Sequence, residues 1–332
     1  MTFSKSVLSI QSHVSHGYVG GKAAIFPLQT QGWEVDNVNT VNFSNHTGYG
    51  SFKGSAIDTK ELENIFDGLN DIDMTYNAVI SGYIPNDSLI ETVKRYIQKL
   101  KAKVPKLVYL LDPVMGDQGY IYVDESCVHE YRRMLASGMV DIITPNQFEL
   151  ELLCDLKICS EEDLKAAIHS LHLKYGIKYV VVTSLDENLC LSKKPHSNKG
   201  IIYCAISCAT ETDIHVYSIP IIRSYFTGVG DMFSALLLDK LYNNLKTRGH
   251  GLDALSKSVN QVLTIMLNTL KLTHKLGIES YYKSKGMPVS YDTNLEGKIN
   301  DGSSMKFFEL KVIESKNFYD YADDGIFTPD II

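Results

Sequence analysis

Several features that mark other classes of protein are missing from this sequence of 332 residues. No apolar run approaches the roughly 18 residues that span a bilayer, and no N-terminal stretch resembles a secretory signal. Basic residues are scarce too, because 32 Lys and Arg face 39 Asp and Glu and give a net charge of -7. We therefore expect a cytoplasmic protein that binds neither membrane nor nucleic acid, and a nuclear location is compatible with the same features.

The six cysteines show no metal-binding pattern. They are scattered, contain no CxxC pair and lack the histidine spacing of a structural zinc site. Cys204 and Cys208 could serve as two metal ligands, but two cysteines without partners rarely form a site. We interpret all six as reduced thiols.

Two common nucleotide-binding fingerprints are also absent. Residues 17–23 superficially resemble a Walker A loop, but the first glycine is one residue too close and Ala23 replaces the metal-binding hydroxyl. The glycines Gly48, Gly50 and Gly54 miss the dinucleotide spacing. These departures exclude an ordinary P-loop NTPase and argue against a Rossmann dehydrogenase.

Strand and helix patterns alternate along most of the chain. Short apolar, β-branched runs such as residues 6–12 and 178–184 predict strands, and amphipathic segments such as residues 88–102 predict helices. Strands joined by crossover helices imply a three-layer α/β/α fold with a central, mostly parallel, twisted sheet. Residues 186–220 have polar connectors between short apolar runs and predict a small antiparallel edge.

The last fifty residues give a weaker signal. We predict one domain over residues 1–282, followed by a polar, mobile insertion at 283–304. The apolar run within residues 305–318 predicts a last strand that returns to the domain. Residues 319–332 are predicted to form an acidic tail.

Ligands of parallel α/β sheets bind beyond the carboxyl ends of the strands, so the segments there are the candidates for chemistry. The most informative one, residues 226–231, opens a predicted helix. Its glycines Gly228 and Gly230 allow an anion to approach the backbone closely, and the helix dipole favours negative charge there. Asp231 is then either a first-turn or capping acid stabilised by the dipole, or a general base beside a transferring phosphoryl group.

Other polar residues also follow predicted strands. Asn146 and Glu149 could form a capping box, or could hold Mg²⁺ through water. Asp112 and Asp117 follow a strongly apolar run, which favours function, although a turn role for Asp117 stays open. An isolated histidine is more often a hydrogen-bonded scaffold residue than a base, and we interpret His46 in this way.

Five segments in order resemble the ribokinase-like superfamily and, within it, the pyridoxal kinases. They are VLSIQSHVSHGYVGGKAAIFPLQ, FSNHTGYG, LLDPVMGD, DIITPNQFELELL and FTGVGDMFSALLL, and the resemblance covers about residues 6–280. It implies ATP-dependent phosphorylation of the 5′-hydroxyl of pyridoxal, pyridoxine and pyridoxamine. It also implies Mg²⁺ or another divalent cation, a monovalent cation (K⁺ or Na⁺) and a homodimer.

The resemblance further implies roles for individual residues. Asp231 would be the catalytic base, and the anion hole would comprise Gly228, Val229 and Gly230. The vitamin ring would be bound by Ser12, Thr47, Tyr83 and Asp231. ATP would contact Asp112, Asn146, Glu149, Thr183, Ser184, Ile222, Phe226, Gly228 and Val229. The monovalent cation would be held by Asp117, Thr144 and Thr183, and Mg²⁺ by Glu149 through water.

The sequence departs from the family pattern in three places, and two other functions stay open. Residues 283–304 and the acidic tail have no counterpart in the family that can be assigned. Val229 stands where related animal enzymes carry threonine, and the flap loop after Asp117 is short, so closure over the nucleotide can differ. One alternative is another kinase of the same fold, such as a hydroxymethylpyrimidine kinase. The other is a catalytically idle relative that binds B6 vitamers or nucleotide, although the retained Asp231 argues against it.

Overall fold

The computed structural model describes residues 5–117, 119–191 and 200–332. The strands in these ranges are β1 (Lys5–Val14), β2 (Trp33–Phe43), β3 (Gly54–Ala56), β4 (Ala78–Ser81), β5 (Val108–Leu111), β6 (Gly116–Asp117), β7 (Tyr120–Ile121), β8 (Ile142–Ile143), β9 (Tyr179–Leu185), β10 (Ile201–Cys208), β11 (Ile214–Pro220) and β12 (Asp330–Ile331). The α-helices are α1 (Gly21–Thr30), α2 (Thr59–Asp71), α3 (Asp87–Lys103), α4 (Glu125–Ala136), α5 (Gln147–Cys154), α6 (Glu161–Tyr175), α7 (Val229–Arg248), α8 (Leu252–Ser284), α9 (Gly302–Met305) and α10 (Lys316–Tyr319).

Ten of these strands form one sheet, in the order β12-β11-β10-β9-β8-β5-β4-β1-β2-β3. The six strands from β9 to β2 run parallel, whereas β10, β11 and β12 at one edge and β3 at the other pair antiparallel. The mostly parallel sheet and its antiparallel edge are therefore confirmed. Residues 192–199 of the predicted edge meander and Gln118 of the flap lie outside the described residues.

Both faces of the sheet are buried, which explains why its central strands read as continuous apolar runs. Alternate residues of β1 enter different cores: Leu8 and Ile10 pack with helices α2 to α6, and Val7 packs with α1, α7 and α8. This arrangement gives the three predicted layers. No helix of the described ranges is long and apolar enough to span a bilayer.

The predicted last strand at residues 305–318 is wrong. This segment contains turns and the start of α10, and the final strand of the chain is β12, which extends the antiparallel edge beside β11. The apolar side chains Phe308, Leu310 and Val312 are buried all the same, because they pack as a covering loop rather than as a strand. Apolar content alone did not separate these two outcomes.

The predicted acidic tail packs against the domain. Tyr319 is fully buried, and the Gln261 side chain of α8 donates to the carbonyls of Ala322 and Asp323. Asp324 pairs with Lys257 at 2.9 Å. The mobility of residues 283–304 stays a prediction, although this segment makes defined contacts with the functional site.

Candidate active site

A cavity of about 500 Å³ lies where the carboxyl ends of the parallel strands meet the start of α7. Most of the predicted site residues line it: Ser12, Thr47, Tyr83, Asp112, Asp117, Thr144, Asn146, Glu149, Thr183, Gly228, Gly230 and Asp231. Most of them lie at or just beyond the ends of β1, β2, β4, β5, β8 and β9, and the others lie in β6, in the first turn of α5 and at the start of α7. The topological rule for parallel sheets thus brings residues from distant parts of the sequence together.

Four predicted residues lie outside this cavity. Ser184 lines a second cavity of about 770 Å³, which shares Asp117 with the first. Ile222 and Phe226 line neither, and the neighbouring Ile221 faces the second cavity instead. Val229 and Phe226 pack against the core between α7 and the sheet.

The anion-binding end of the cavity depends on glycine. Gly228 caps α7 with φ of 76°, a backbone conformation that side chains rarely adopt. A Cβ atom there would lie 1.9 Å from the carbonyl oxygen of Tyr18, in the loop between β1 and α1. The loop therefore packs directly on the helix start, where the amide groups and the positive end of the helix dipole favour an anion.

Asp231 does not cap its own helix. Its carboxylate Oδ2 reaches across to the β1–α1 loop and accepts the N–H of Gly20 at 2.8 Å, while Gly228 occupies the capping position. Burial raises the pKa of Asp231, and the Gly20 hydrogen bond opposes this shift. A carboxylate with a raised pKa, held at the mouth of an anion site, is suited to accept a proton from a substrate hydroxyl.

Carboxylates outnumber cations at the centre of the cavity. Burial raises the pKa of Asp112 well above its ordinary value, and the Glu149 and Asp231 carboxylates raise it further. Burial also raises the pKa of Glu149 to about 8, and repulsion from Asp117 contributes. No lysine or arginine is among the described side chains that line this cavity. Such a cluster has the electrostatic character of a site for cations.

The capping box is present at the start of α5. Asn146 Oδ1 accepts the Glu149 N–H and Glu149 Oε2 accepts the Asn146 N–H, both at 2.9 Å, while Glu149 Oε1 accepts the Met115 N–H at 3.0 Å. Both carboxylate oxygens are therefore bound to backbone amides. No group of three His, Cys, Asp or Glu side chains in the described part of the chain could hold a metal directly. The geometry is compatible with the expected water-mediated contact between Glu149 and Mg²⁺.

Part of the cavity lining is an apolar wall, which could not be recognised in the sequence. Val14, Val19, Val41 and Phe43 line it beside the polar groups of the predicted ring-binding residues. Apolar walls with a few convergent polar groups are typical of pockets for small aromatic ligands. These four residues lie within strands or loops of ordinary composition, so no sequence signal distinguished them from core residues.

Two buried polar residues were also missed. Ser234 donates to Asp112 Oδ2 at 3.2 Å and lies 2.9 Å from the Thr144 hydroxyl, so it links two strand ends to α7. It follows Asp231 by three residues, a spacing that could have indicated the shared helix face. Gln11 is fully buried in β1, and its side-chain amide has no hydrogen-bond partner among the described residues.

The neutral state of His46 should have a measurable effect on stability. Burial lowers its pKa from 6.5 to about 4, and its Nδ1 accepts the Gly48 N–H at 3.0 Å. Below pH 6.5 the His46 imidazole becomes protonated in the unfolded chain, whereas in the folded chain it stays neutral down to about pH 4. The free energy of unfolding therefore falls as the pH is lowered through this window. Between pH 7 and pH 5 we expect this group to cost about 2 kcal/mol of unfolding free energy.

Urea unfolding at pH 7 and pH 5 measures this effect. His46→Asn keeps a side-chain acceptor for the turn but cannot titrate, so its loss of stability on acidification should be smaller by about that amount. His169→Asn, at an exposed position of α6, is the control and should behave like the wild type. An equal pH dependence in the wild type and His46→Asn would contradict the prediction.

Comparison with known proteins identifies the family. The model of the Phosphomethylpyrimidine kinase family matches residues 36–278. The chain is 44% identical over 319 residues to the Saccharomyces cerevisiae protein BUD16, with 95% of each chain covered. It is 43% identical over 235 residues to the pyridoxal kinase of Arabidopsis thaliana, covering 70% of this chain and 72% of the relative.

A solved structure agrees with these sequence relatives. The structure of pyridoxal kinase from Leishmania donovani in complex with ADP and pyridoxamine is 28% identical in sequence to this chain. It superposes with a TM-score of 0.79, and the match covers 99% of both chains. The shared fold covers 99% of this chain and therefore extends over the strands and helices that form the cavity. The chain belongs to the pyridoxal kinase family, within the ribokinase-like fold.

Proposed function

We propose that this enzyme transfers the γ-phosphoryl group of ATP to the 5′-hydroxyl of pyridoxal, pyridoxine and pyridoxamine. The observation that carries the proposal is the position of Asp231. Its carboxylate shares one cavity with the glycine-rich start of α7 and with the predicted ring-binding residues Ser12, Thr47 and Tyr83. The membership of the chain in the pyridoxal kinase family supports the same substrates.

The arrangement supports phosphoryl transfer without a covalent enzyme intermediate. Ser12, Thr47 and Tyr83 would orient the vitamin ring against the apolar wall, so that its hydroxyl faces Asp231. Asp231 would accept the proton of that hydroxyl, while the backbone amides at Gly228 to Asp231 stabilise the negative charge on the transferring group. Phosphoryl transfer depends mostly on such positioning and electrostatic stabilisation.

The nucleotide would extend from the first cavity into the second. Its phosphates would lie near α7 and Asp112, and its nucleoside would lie toward Ser184 and Ile221, where the two cavities share Asp117. The relative from Leishmania donovani binds ADP, which supports a nucleotide site in this fold.

The carboxylate cluster supports a requirement for cations. Mg²⁺ or another divalent cation, held through water by Glu149, would neutralise phosphate charge when bound. K⁺ or Na⁺ near Asp117, Thr144 and Thr183 would relieve the repulsion between the Asp117 and Glu149 carboxylates. The raised pKa values of Asp112 and Glu149 support both cations, because uncompensated burial is their cause.

Assembly and location stay predictions. We expect a homodimer, which light scattering can measure, and a cytoplasmic location, which imaging of a tagged chain can measure. The second candidate function is phosphorylation of hydroxymethylpyrimidine. It is supported by the match of residues 36–278 to the Phosphomethylpyrimidine kinase family.

A substrate panel tests the proposed function directly. ATP consumption and 5′-phosphate formation should be measured with pyridoxal, pyridoxine, pyridoxamine and hydroxymethylpyrimidine, each with Mg²⁺ and with K⁺ or Na⁺. We expect turnover of the three B6 vitamers and dependence on the divalent cation. Turnover of the pyrimidine alone would move the function to the second candidate, and vitamer binding without turnover would indicate an idle relative.

A further inference from the structure

The carboxylate of Glu309 is buried between three loops of the active site, although it lies far from them in the sequence. Glu309 is 6% exposed. Its Oε2 accepts the N–H of Tyr18 at 2.9 Å, and its Oε1 accepts the hydroxyl of Tyr49 at 2.5 Å. The hydroxyl of Thr227 lies 3.5 Å from Oε2. One side chain thus contacts the β1–α1 loop, the turn that carries Thr47, and the segment before Gly228.

The β1–α1 loop is shaped around this carboxylate. Gly17 has φ of 91°, and a Cβ atom there would lie 2.5 Å from Glu309 Oε2. Any other residue would displace either the loop or the carboxylate. The fit is therefore specific to the pair of Gly17 and Glu309.

The residues that precede Glu309 also form hydrogen bonds with loops of the active site. We name residues 297–309 the C-terminal clamp. Gly297 accepts the Tyr225 N–H and donates to Ser224 Oγ, both at 2.9 Å, next to the anion hole. The N–H of Asn300 donates to the Gly48 carbonyl at 2.8 Å, beside Thr47. The clamp lies beyond residues 36–278, where the family model matches, so that match assigns it no part in the site.

The contacts of Glu309 continue to the reacting groups. Tyr18 donates its N–H to Glu309, and its carbonyl oxygen packs against Gly228 at the start of α7. Two residues later, Gly20 donates to the Asp231 carboxylate at 2.8 Å. The same loop therefore joins Glu309 to the anion hole and to the proposed base.

We propose that Glu309 is a positioning residue that holds the vitamer-binding turn and the β1–α1 loop in register with the anion hole. The proposal rests on the proposed kinase function and adds a residue outside its chemistry. Loss of the Glu309 charge would leave two donors with a weaker acceptor, and the vitamer turn would move relative to Asp231. The nucleotide contacts on β9 and β5 would stay in place, because Glu309 does not touch them.

A split between the two substrates tests this role. Glu309→Gln keeps the side-chain volume but replaces one acceptor oxygen by a donor. We expect kcat/KM for pyridoxal to fall about tenfold or more, as loss of a hydrogen bond to a charged group predicts. KM for ATP should change less, because only the segment before Gly228 links Glu309 to the nucleotide contacts. Glu314→Gln, at an exposed position five residues later, is the matched control and should match the wild type.

Tyr49→Phe provides a milder second variant, because it removes only the hydroxyl that Glu309 accepts. It should raise KM for pyridoxal, and the double variant with Glu309→Gln should show a smaller loss than the product of the two single losses. If Glu309→Gln does not fold, Tyr49→Phe alone carries the test, and wild-type kinetics in it would overturn the proposal.

Three further outcomes would also overturn it. These are a lower melting temperature of Glu309→Gln with unchanged kinetics, a loss confined to KM for ATP, and fully additive losses in the double variant. Wild-type enzyme in the same assay separates this proposal from the proposed function. A wild type without vitamer turnover refutes the kinase function, whereas an active wild type and an equally active Glu309→Gln refute only the positioning role.

Discussion

Asp231→Asn should lower turnover about 10²- to 10⁴-fold, the usual contribution of a positioned general base. The substitution keeps the shape of the side chain, and its amide oxygen can still accept the Gly20 N–H that now lies 2.8 Å from the carboxylate. It removes the capacity to take the proton of the substrate hydroxyl. It also removes one negative charge beside Asp112, so ATP binding should be retained.

Steady-state kinetics with pyridoxal and calorimetric titration with ATP measure the two parts of this prediction. A thermal unfolding curve close to that of the wild type would show that the variant is folded. Near-normal turnover would contradict the assignment of Asp231 as the base. A loss of turnover that arises only from lost ATP binding would do so as well, because the residue would then act on the nucleotide.

The parts of the site that could be predicted from the sequence are those with a local signal. Gly228, Gly230 and Asp231 stand together at the start of one helix, and Asn146 and Glu149 have the spacing of a capping box. The parallel sheet then decides that such strand-end segments meet, since its strands all end at one edge. The sequence around Glu149 could not distinguish a capping role from cation binding. In the structure Glu149 forms the hydrogen bonds of the capping box and also lines the cavity.

Residues whose role depends on distant partners could not be predicted. Glu309 contacts Tyr49 across 260 residues of sequence, and its own neighbours show only an apolar run. That run was predicted to be a strand because a short buried loop and a short buried strand can have the same apolar composition. Gln11 occurs in a buried strand, where one polar residue in an apolar pattern has no partner that the sequence could indicate.

Gly228→Ala should cost both stability and turnover, because two separate constraints act at this position. The backbone has φ of 76°, and the new Cβ atom would lie 1.9 Å from the Tyr18 carbonyl oxygen, which belongs to the backbone and cannot rotate away. Relief requires the β1–α1 loop to move from the start of α7. We expect a loss of about 2 to 4 kcal/mol of unfolding free energy. Turnover should fall about 10²- to 10³-fold as the anion hole opens.

Gly230→Ala, two residues later, is the matched control for stability. A Cβ atom at Gly230 meets only the Asp112 carboxylate at 3.6 Å, an ordinary contact, and the residue lies in the first turn of α7, where alanine is the better helix former. Urea unfolding should therefore show a change of less than about 1 kcal/mol for this variant. Equal stability losses at the two positions would contradict the argument, because the close approach of Tyr18 to the helix would then not be what requires glycine at position 228.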